Sequence, residues 1–221
     1  MKVVLLAYTQ GADAICAAAG KSCYSEKPSS EIREDVDSEK TLSKIVGMGH
    51  LSVVEHAVFT FSVEGVSRAL THQLVRHRIA SFSQQSQRYV SLKDPTYVVP
   101  PTVKGDPEAE RRFEETMDAI WKAYRDLEAM GIPAEDARYL LPNGCTTNIT
   151  VTMNARELLH LFSLRCCSRA QWEIREMAER MLELCQEVSP AIFKDAGPPC
   201  VRGPCPEGRL SCGNPRRRRI S

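Results

Sequence analysis

Three short segments of the chain have the residue pattern of β-strands. Residues 3–8 form an apolar run, whereas 57–63 and 146–153 alternate between apolar and polar positions and are rich in β-branched residues. Elsewhere apolar residues recur at spacings of three and four, which predicts amphipathic helices. The predicted helices span 13–19, 38–48, 67–75, 107–130, 133–141, 154–165 and 172–188. We therefore expect an α+β fold: a single domain with a mainly antiparallel sheet packed with long helices.

Polar residues at the predicted helix starts indicate how the helices begin. Ser67 is a predicted N-cap, because it follows a glycine and precedes an apolar helical pattern. Asn154 and Glu157 are predicted to form a capping box, in which the glutamate reaches back to the start of the helix. Ser168 and Gln171 have the same spacing, so a second box is expected to restart the chain there.

Composition limits the classes of protein to which the chain can belong. Its 221 residues are 43% hydrophobic and 26% charged, with a formal net charge of +1. These values are ordinary for a globular protein and argue against a general polyanion-binding surface, so no nucleic-acid partner is expected. We expect no membrane partner either, because no apolar run approaches the ~18 residues that span a bilayer. Nine cysteines, an odd number, favour a reducing compartment and a cytoplasmic location.

The segment from Arg76 to Tyr89 is the most unusual part of the sequence. It holds three arginines, one histidine, three glutamines and three serines, but no carboxylate. Positive charge without an internal counterion points to an external anion. Gln73 and Arg76 are three residues apart and would share a face of the preceding helix. The Ser/Gln-rich run is expected to form a loop along a ligand, although a solvated basic helix end is the alternative interpretation.

Four separate blocks between residues 48 and 175 resemble the signature of flavin-dependent thymidylate synthases. The blocks are Gly49-His50 with Glu55-His56, Arg76-His77-Arg78 with Ser86-x-Arg88-Tyr89, Ala137-Arg138-x-x-Leu141-Pro142, and Leu164-Arg165 with Ala170-Gln171-Trp172-Glu173. This resemblance implies reductive methylation of dUMP to dTMP. FAD would be the redox cofactor, methylenetetrahydrofolate the carbon donor and NADPH the reductant. It also implies a homotetramer with shared active sites.

The resemblance also implies two sets of ligand-binding residues. The set expected to hold FAD is Ser52, Arg76, His77, Arg78, Gln84, Asn154, Ala155, Arg156 and His160. The set expected to hold dUMP is Gln73, Leu74, Val75, Arg76, Gln84, Gln85, Ser86, Gln87, Arg88, Arg138 and Arg165. Arg165 is the expected catalytic residue. Arg165 is predicted to lie at a break between two helices, where its side chain can project into a site. The structural alternative is that Arg165 only bonds to backbone carbonyls left open at the helix end.

The end of the chain has a different composition, so we expect a catalytic domain over 1–195 and a Cys/Pro/Arg-rich tail over 196–221. Cys200, Cys205 and Cys212 lack a Cys-x-x-Cys pair, and reduced thiols are expected there instead of a zinc site. Residues 216–219 form a run of four arginines that is expected to be a solvated end.

Some single residues also have alternative interpretations. His50, Glu55 and His56 do not have the spacing of a metalloprotease helix, so no metal site is expected among them. Arg138 could form a structural salt bridge instead of binding dUMP. A cysteine nucleophile among Cys145, Cys166 and Cys167 is not excluded by sequence.

Overall fold

The computed structural model describes residues 1–91, 94 and 96–216, and contains a four-stranded sheet. The strands are β1 (Lys2–Tyr8), β2 (Val58–Ser67), β3 (Ala80–Gln84) and β4 (Thr146–Asn154). Their order in the sheet is β1-β2-β4-β3. Thr60 bonds to Thr152 and Gly65 to Asn148, so β2 and β4 run in opposite directions. The predicted α+β class with an antiparallel sheet is confirmed.

Ten α-helices are present in the described residues. They are α1 (Ala12–Ser22), α2 (Ser29–Asp35), α3 (Ser38–Gly47), α4 (Arg68–Leu74), α5 (Pro101–Lys104), α6 (Pro107–Ala129), α7 (Ala134–Ala137), α8 (Ala155–Arg165), α9 (Trp172–Val188) and α10 (Pro190–Phe193). Short 3-10 helices occur at Leu51–His56, Arg138–Leu140, Pro199–Val201 and Gly208–Leu210. The sequence pattern missed α2, which has no buried residue and so lacks the apolar periodicity that identifies a packed helix. In the described part of the chain, no helix combines the length and the apolar character that crossing a membrane requires.

The chain divides into two compact units. The first unit comprises Met1–Lys2, Val63–Arg76 and Ser83–Ile149, and the second comprises Val3–Ser62, His77–Phe82 and Thr150–Ser221. This division differs from the predicted boundary between residues 195 and 196, which stays a prediction.

The second unit has an aromatic core. Phe193 packs edge-on against Phe59 and Phe162, with ring centroids 5.4 and 5.9 Å apart. All three rings are fully buried. Edge-to-face pairs of this kind contribute roughly 0.5–1.5 kcal/mol each beyond the area they bury. The core thereby ties β2 and α8 to the short helix α10.

The first unit has a separate core beneath α6. Met117, Trp121 and Tyr124 are buried at spacings of four and three, so one stripe of a long and otherwise polar helix faces inward. Trp121 and Met117 pack with Cys145, and Tyr97 lies 6.1 Å from the Trp121 ring. Trp121 and Tyr124 are therefore core side chains of this unit.

Helix α4 ends earlier than the sequence predicted. Ser67 caps it as expected, because its hydroxyl accepts a hydrogen bond from the Leu70 backbone N–H at 3.0 Å. Its last residue is Leu74, however, and Val75 is the C-cap. Arg76 therefore lies beyond the helix, and the prediction that Gln73 and Arg76 share a helix face was wrong.

The segment after Arg76 also differs from its prediction. Residues Ala80–Gln84 form an edge strand instead of the expected loop. Their side chains are alternately half-buried and exposed, which is the burial pattern of a strand with one covered face. The polar composition of the run concealed this alternation, because Ser and Gln supply few of the apolar contacts that identify strands.

One of the two predicted capping boxes is absent, and the other is incomplete. Asn154 caps α8 by accepting a hydrogen bond from the Glu157 N–H at 2.9 Å. The Glu157 carboxylate does not return to the cap but bonds to His77. Helix α9 starts at Trp172 as predicted, but its cap is Gln171, whose side-chain oxygen accepts from the backbone N–H groups of Glu173 and Ile174. Ser168 is not a cap.

Gly49 ends α3 through its backbone conformation. It has a φ of 81°, in the left-handed region where side chains are disfavoured. The N–H of His50 bonds to the Ile45 carbonyl, and the N–H of Gly49 to that of Val46. These two bonds define a Schellman motif. The Gly47-Met48-Gly49 segment therefore terminates a helix and does not form a dinucleotide fingerprint.

The described part of the tail contacts the rest of the second unit. Arg216 pairs with Glu179 of α9, and its backbone N–H lies 3.4 Å from the Cys200 sulfur. Arg169 pairs with Glu207 at 2.9 Å. The prediction of a solvated arginine run was therefore wrong for Arg216, while positions 217–219 lie outside the described residues.

We predict that Asp106→Ala will lower the free energy of unfolding by about 1 kcal/mol, because the Asp106 carboxylate accepts from the N–H groups of Glu108 and Ala109 at the start of α6. Asp106→Ser should retain most of the stability. The matched control is Asp126→Ala on the exposed face of the same helix, which should leave stability unchanged or raise it slightly. Denaturant unfolding measures all three, and equal losses at 106 and 126 would contradict the capping role.

Candidate functional site

Three polar side chains, two of them buried and the third half-buried, form a row in the second unit. The Nδ1 atom of His77 lies 2.9 Å from Oε1 of Glu157, and the Nε of Arg165 donates to Nε2 of His77 at 3.2 Å. His77 is only 4% exposed and Glu157 only 7%. The His160 ring lies edge-on to that of His77, with centroids 5.7 Å apart. Because both ring nitrogens of His77 are hydrogen-bonded, the ring is held in one orientation.

The surroundings of His77 favour its neutral form. Burial lowers the pKa of His77 below its usual value of 6.5, and the Arg165 and His160 charges act in the same direction. The hydrogen bond and charge of Glu157 oppose this shift. Burial also lowers the pKa of Arg165. An arginine offers only donors, so Nε2 of His77 must accept and its proton lies on Nδ1.

His77, Glu157 and His160 have ligand atoms within 4.8 Å of one another, close enough to hold a metal ion. The Arg165 guanidinium argues against this interpretation, because it donates to the Nε2 lone pair that a metal would need. The remaining nitrogen, Nδ1, carries a proton directed at Glu157. The row is better explained by hydrogen bonding than by metal coordination.

A cavity of about 600 Å³ lies beside this row. Asn154, Arg156, Glu157 and His160 supply polar groups to its wall. Its apolar lining includes Leu42, Val46, Leu51, Ile79 and Leu159. Three residues of the expected FAD set, at positions 154, 156 and 160, are thus brought together by the first two turns of α8.

The other residues of the expected FAD set lie elsewhere. Ser52 lines a different cavity of about 990 Å³ in the second unit. Arg78 is exposed, and the small Ala155 side chain is buried. Arg76 and Gln84 belong to the first unit. The structure therefore groups part of this set, and the roles of the remaining residues stay predictions.

In the first unit, Gln84 is held by a hydrogen-bond network. Its Nε2 donates to the hydroxyls of Thr71 and Thr147 at 3.2 and 3.3 Å. A cavity of about 280 Å³ is lined by Val75, Gln84 and Gln87 from the expected dUMP set. It is also lined by residues that the sequence analysis did not select: Arg68, Thr71, His72, Leu141, Pro142 and Asn143.

Two expected dUMP ligands meet at Glu135. The Nε and Nη2 of Arg88 contact its carboxylate at 3.0 and 2.9 Å, and Arg138 Nε donates to its backbone carbonyl at 3.0 Å. Both arginines are partly exposed, so a phosphate can reach them. The contact of Arg138 is with a backbone carbonyl and not with a carboxylate, so it does not support the structural salt-bridge alternative.

The remaining members of the dUMP set have varied surroundings. Leu74 is wholly buried, so its side chain belongs to the core and only its backbone could meet a ligand. The side-chain oxygen of Gln85 accepts from Asn148, and the Ser86 hydroxyl accepts from the Arg88 N–H. Gln73 lies in the last turn of α4, and Arg76 lies just beyond the end of that helix. Arg165 lies in the second unit.

Glu157 is the main functional candidate that the sequence analysis missed. Its position three residues after Asn154 matched a capping box, which explained the carboxylate locally. The sequence held only an indirect signal that Glu157 is buried. Asn154 alone suffices as a cap, and Glu157 lies on the same helix face as the apolar residues Leu158 and Leu161.

The chain is similar in sequence to one protein family and to several characterised proteins. Residues 4–191 match the family model described as "Thymidylate synthase complementing protein". A flavin-dependent thymidylate synthase of Geobacter sulfurreducens is 53% identical, over 96% of this chain and 94% of that protein. Those of Clostridium tetani and Pyrococcus abyssi are each 47% identical, covering 96% and 85% of this chain and 93% and 80% of their own lengths.

A solved structure has a similar fold. The UMP/dUMP methylase PolB from Streptomyces cacaoi, crystallised with 5-Br dUMP, superposes with a TM-score of 0.75 over 87% of this chain and 92% of that one. The sequences are 24% identical, so this similarity supports the fold alone.

We predict that protonation of His77 opposes folding. Because its folded pKa lies below the unfolded value, the unfolded state takes up the proton first as the pH falls. The stabilisation is therefore complete above about pH 6.5 and declines as the pH falls towards the folded pKa. His77→Gln should flatten the profile of unfolding free energy between about pH 7 and 5. His56→Gln, at an exposed position, is the control and should leave this profile unchanged. An unchanged pH dependence in the His77 variant would contradict the lowered pKa of His77.

Proposed function

The chain belongs to the flavin-dependent thymidylate synthase family, and we propose that a distinct group of residues in each compact unit carries its reaction. The reaction is the reductive methylation of dUMP to dTMP, with FAD as redox cofactor. Methylenetetrahydrofolate supplies the carbon and NADPH the reducing equivalents. The observation that carries the proposal is the contact between His77 and Arg165. It joins the signature block around Arg76-His77-Arg78 to the block around Leu164-Arg165.

The cavity of the second unit fits FAD in chemistry. Arg156 provides a guanidinium suited to a pyrophosphate, and His160 and Asn154 provide further polar groups. The apolar lining described above suits a flat aromatic ring. When bound, FAD relays reducing equivalents from NADPH to the one-carbon unit. Arg156 pairs with Glu55 in the free protein, so binding a phosphate there exchanges one acceptor for another.

The first unit would hold the nucleotide. Arg88 and Arg138 would bind the phosphate and base of dUMP, with Gln84 to Gln87 lining the nucleotide. Gln84 is pre-oriented by its two threonine partners, which lowers the entropy lost when it binds a ligand. Arg88 must leave Glu135 to bind phosphate, and an exposed pair of this kind opposes that by only about 0–1 kcal/mol.

Arg165 would activate the uracil ring. C5 must become electron-rich to take the methylene carbon, and ionisation of the ring at N3 achieves this without an enzyme thiol. A nearby guanidinium stabilises that anion by charge. His77 remains neutral and accepts from Arg165, so it orients the guanidinium without adding a competing proton donor at Nε2. Burial raises the pKa of Cys145, and that of Cys166 to about 12, which disfavours either as a thiolate nucleophile.

The assembly and location follow from the same proposal. We expect a homotetramer whose active sites combine the two groups of residues from several subunits. A cytoplasmic enzyme agrees with the nine unpaired cysteines, all of which lie in the described residues. The direct test is to supply purified protein with FAD, NADPH and methylenetetrahydrofolate and measure conversion of dUMP to dTMP. Absence of product with flavin bound would refute the proposed reaction.

We predict that Arg165→Ala will lower turnover by about 100-fold or more while FAD binding changes little, because the guanidinium would act on the uracil anion. Arg165→Lys should rescue poorly, since lysine keeps the charge but loses the planar fork of donors. Turnover and thermal stability are measured on the same FAD-loaded sample. Lower stability with normal turnover per folded molecule would assign Arg165 a structural role instead.

We also predict that Arg88→Ala will weaken dUMP binding far more than FAD binding. Losing one partner of a charge-assisted phosphate contact costs about 2–5 kcal/mol. The control is Arg111→Ala on exposed α6, which removes an equal charge that pairs only with Glu108 and Glu115 in the described contacts. Calorimetric titration with each ligand separates the effects. Equal losses of dUMP and FAD affinity in the Arg88 variant would defeat the assignment.

A further inference from the structure

The row of Glu157, His77 and Arg165 has a fixed direction of hydrogen bonding. Arginine has donors only and an ionised carboxylate has acceptors only. A neutral imidazole between them must therefore donate from Nδ1 to Glu157 and accept at Nε2 from Arg165. The distances of 2.9 and 3.2 Å agree with two such bonds. No other tautomer of His77 satisfies both partners.

The two partners of His77 come from opposite ends of α8. Glu157 lies in its first turn and Arg165 is its last residue. Their backbone positions are eight residues apart, or about 12 Å along the helix axis. The negative charge of Glu157 near the N-terminus and the positive charge of Arg165 at the C-terminus each complement the helix dipole. The imidazole bridges the polar ends of these two side chains and fixes both relative to the helix.

Glu157 itself does not need to contact a nucleotide for this arrangement to matter. Its carboxylate faces His77, and His77 in turn faces the Nε–H of Arg165. We infer that Glu157 is a positioning residue, which anchors the His77 ring by accepting from Nδ1–H and thereby holds the Arg165 guanidinium in its working orientation. This inference rests on the proposed role of Arg165.

Loss of the carboxylate acceptor would change the row in a definite way. With an apolar side chain at 157, Nδ1–H would be a buried donor without that partner, which is unfavourable. The ring would keep its proton on Nδ1, because Arg165 still donates to Nε2, but only that one bond would hold it. The acceptor of Arg165 would then no longer be fixed in position. Misplacement of a catalytic group by about 1 Å can reduce turnover by about 100-fold.

The experiment compares two substitutions at Glu157 in the full-length, FAD-loaded protein. Glu157→Gln retains an acceptor for Nδ1–H, and we expect turnover within about threefold of the original. Glu157→Leu has a similar size but no acceptor, and we expect a loss of about 10- to 100-fold in kcat. Equal losses in both variants would overturn the inference, because the acceptor would then be irrelevant.

The Nδ1–H group of His77 provides a readout that does not depend on activity. In protein labelled with ¹⁵N-histidine, its proton signal should be shifted by the hydrogen bond to residue 157 in the original and in Glu157→Gln, but not in Glu157→Leu. Glu173→Leu is the matched control, because Glu173 is also buried in the first turn of a helix, α9. It should leave the His77 signals unchanged. Retention of the shifted Nδ1–H signal in Glu157→Leu would overturn the inference.

A double-mutant cycle tests whether Glu157 acts through Arg165. If it does, Glu157→Leu combined with Arg165→Ala should be no slower than Arg165→Ala alone. Independent, multiplied losses would mean that Glu157 acts by another route and would overturn the inference. The result is separable from failure of the proposed function: normal turnover in Arg165→Ala would refute the role of Arg165, whereas the Nδ1–H signal would still decide whether Glu157 anchors His77.

Discussion

The hydrogen bond between Glu157 and His77 is the contact on which the candidate site of the second unit depends. It joins residues 80 positions apart in sequence and is almost completely buried. A carboxylate left unpaired at such a position would destabilise the fold by several kcal/mol. The segment after Arg76 must therefore lie against α8, and Arg165 gains its acceptor as a consequence.

Most of the arginines proposed to bind ligands already have an internal acceptor. Arg88 contacts Glu135, Arg156 contacts Glu55 and Arg165 contacts His77. The first two pairs are exposed and cost little to break, which suits residues that must exchange a carboxylate for a phosphate. The third is partly buried and bonded to a neutral ring, which suits a charge that must keep its orientation. Exposure thus separates Arg88 and Arg156 from the proposed catalytic arginine.

Local sequence signals were reliable where a single residue and its immediate neighbours set the structure. Ser67, Asp106 and Asn154 cap their helices because a short polar side chain reaches backbone N–H groups two or three residues ahead. The same reasoning failed at Ser168, where Gln171 supplies the cap. It also failed at Ala80–Gln84, because edge-strand pairing depends on a partner strand more than 60 residues away.

The sequence by itself determined the α+β class, the main strands and helices, and the family, because apolar periodicity, caps and spaced signature blocks are written locally along the chain. Only the tertiary structure decided which of those residues meet. It gathered Asn154, Arg156 and His160 at one cavity, placed Ser52 at another, joined Arg88 to Glu135, and turned Glu157 from a helix cap into the partner of His77. The reason is physical: a buried charge takes the acceptor or donor that packing brings within about 3 Å, and sequence spacing does not record that choice.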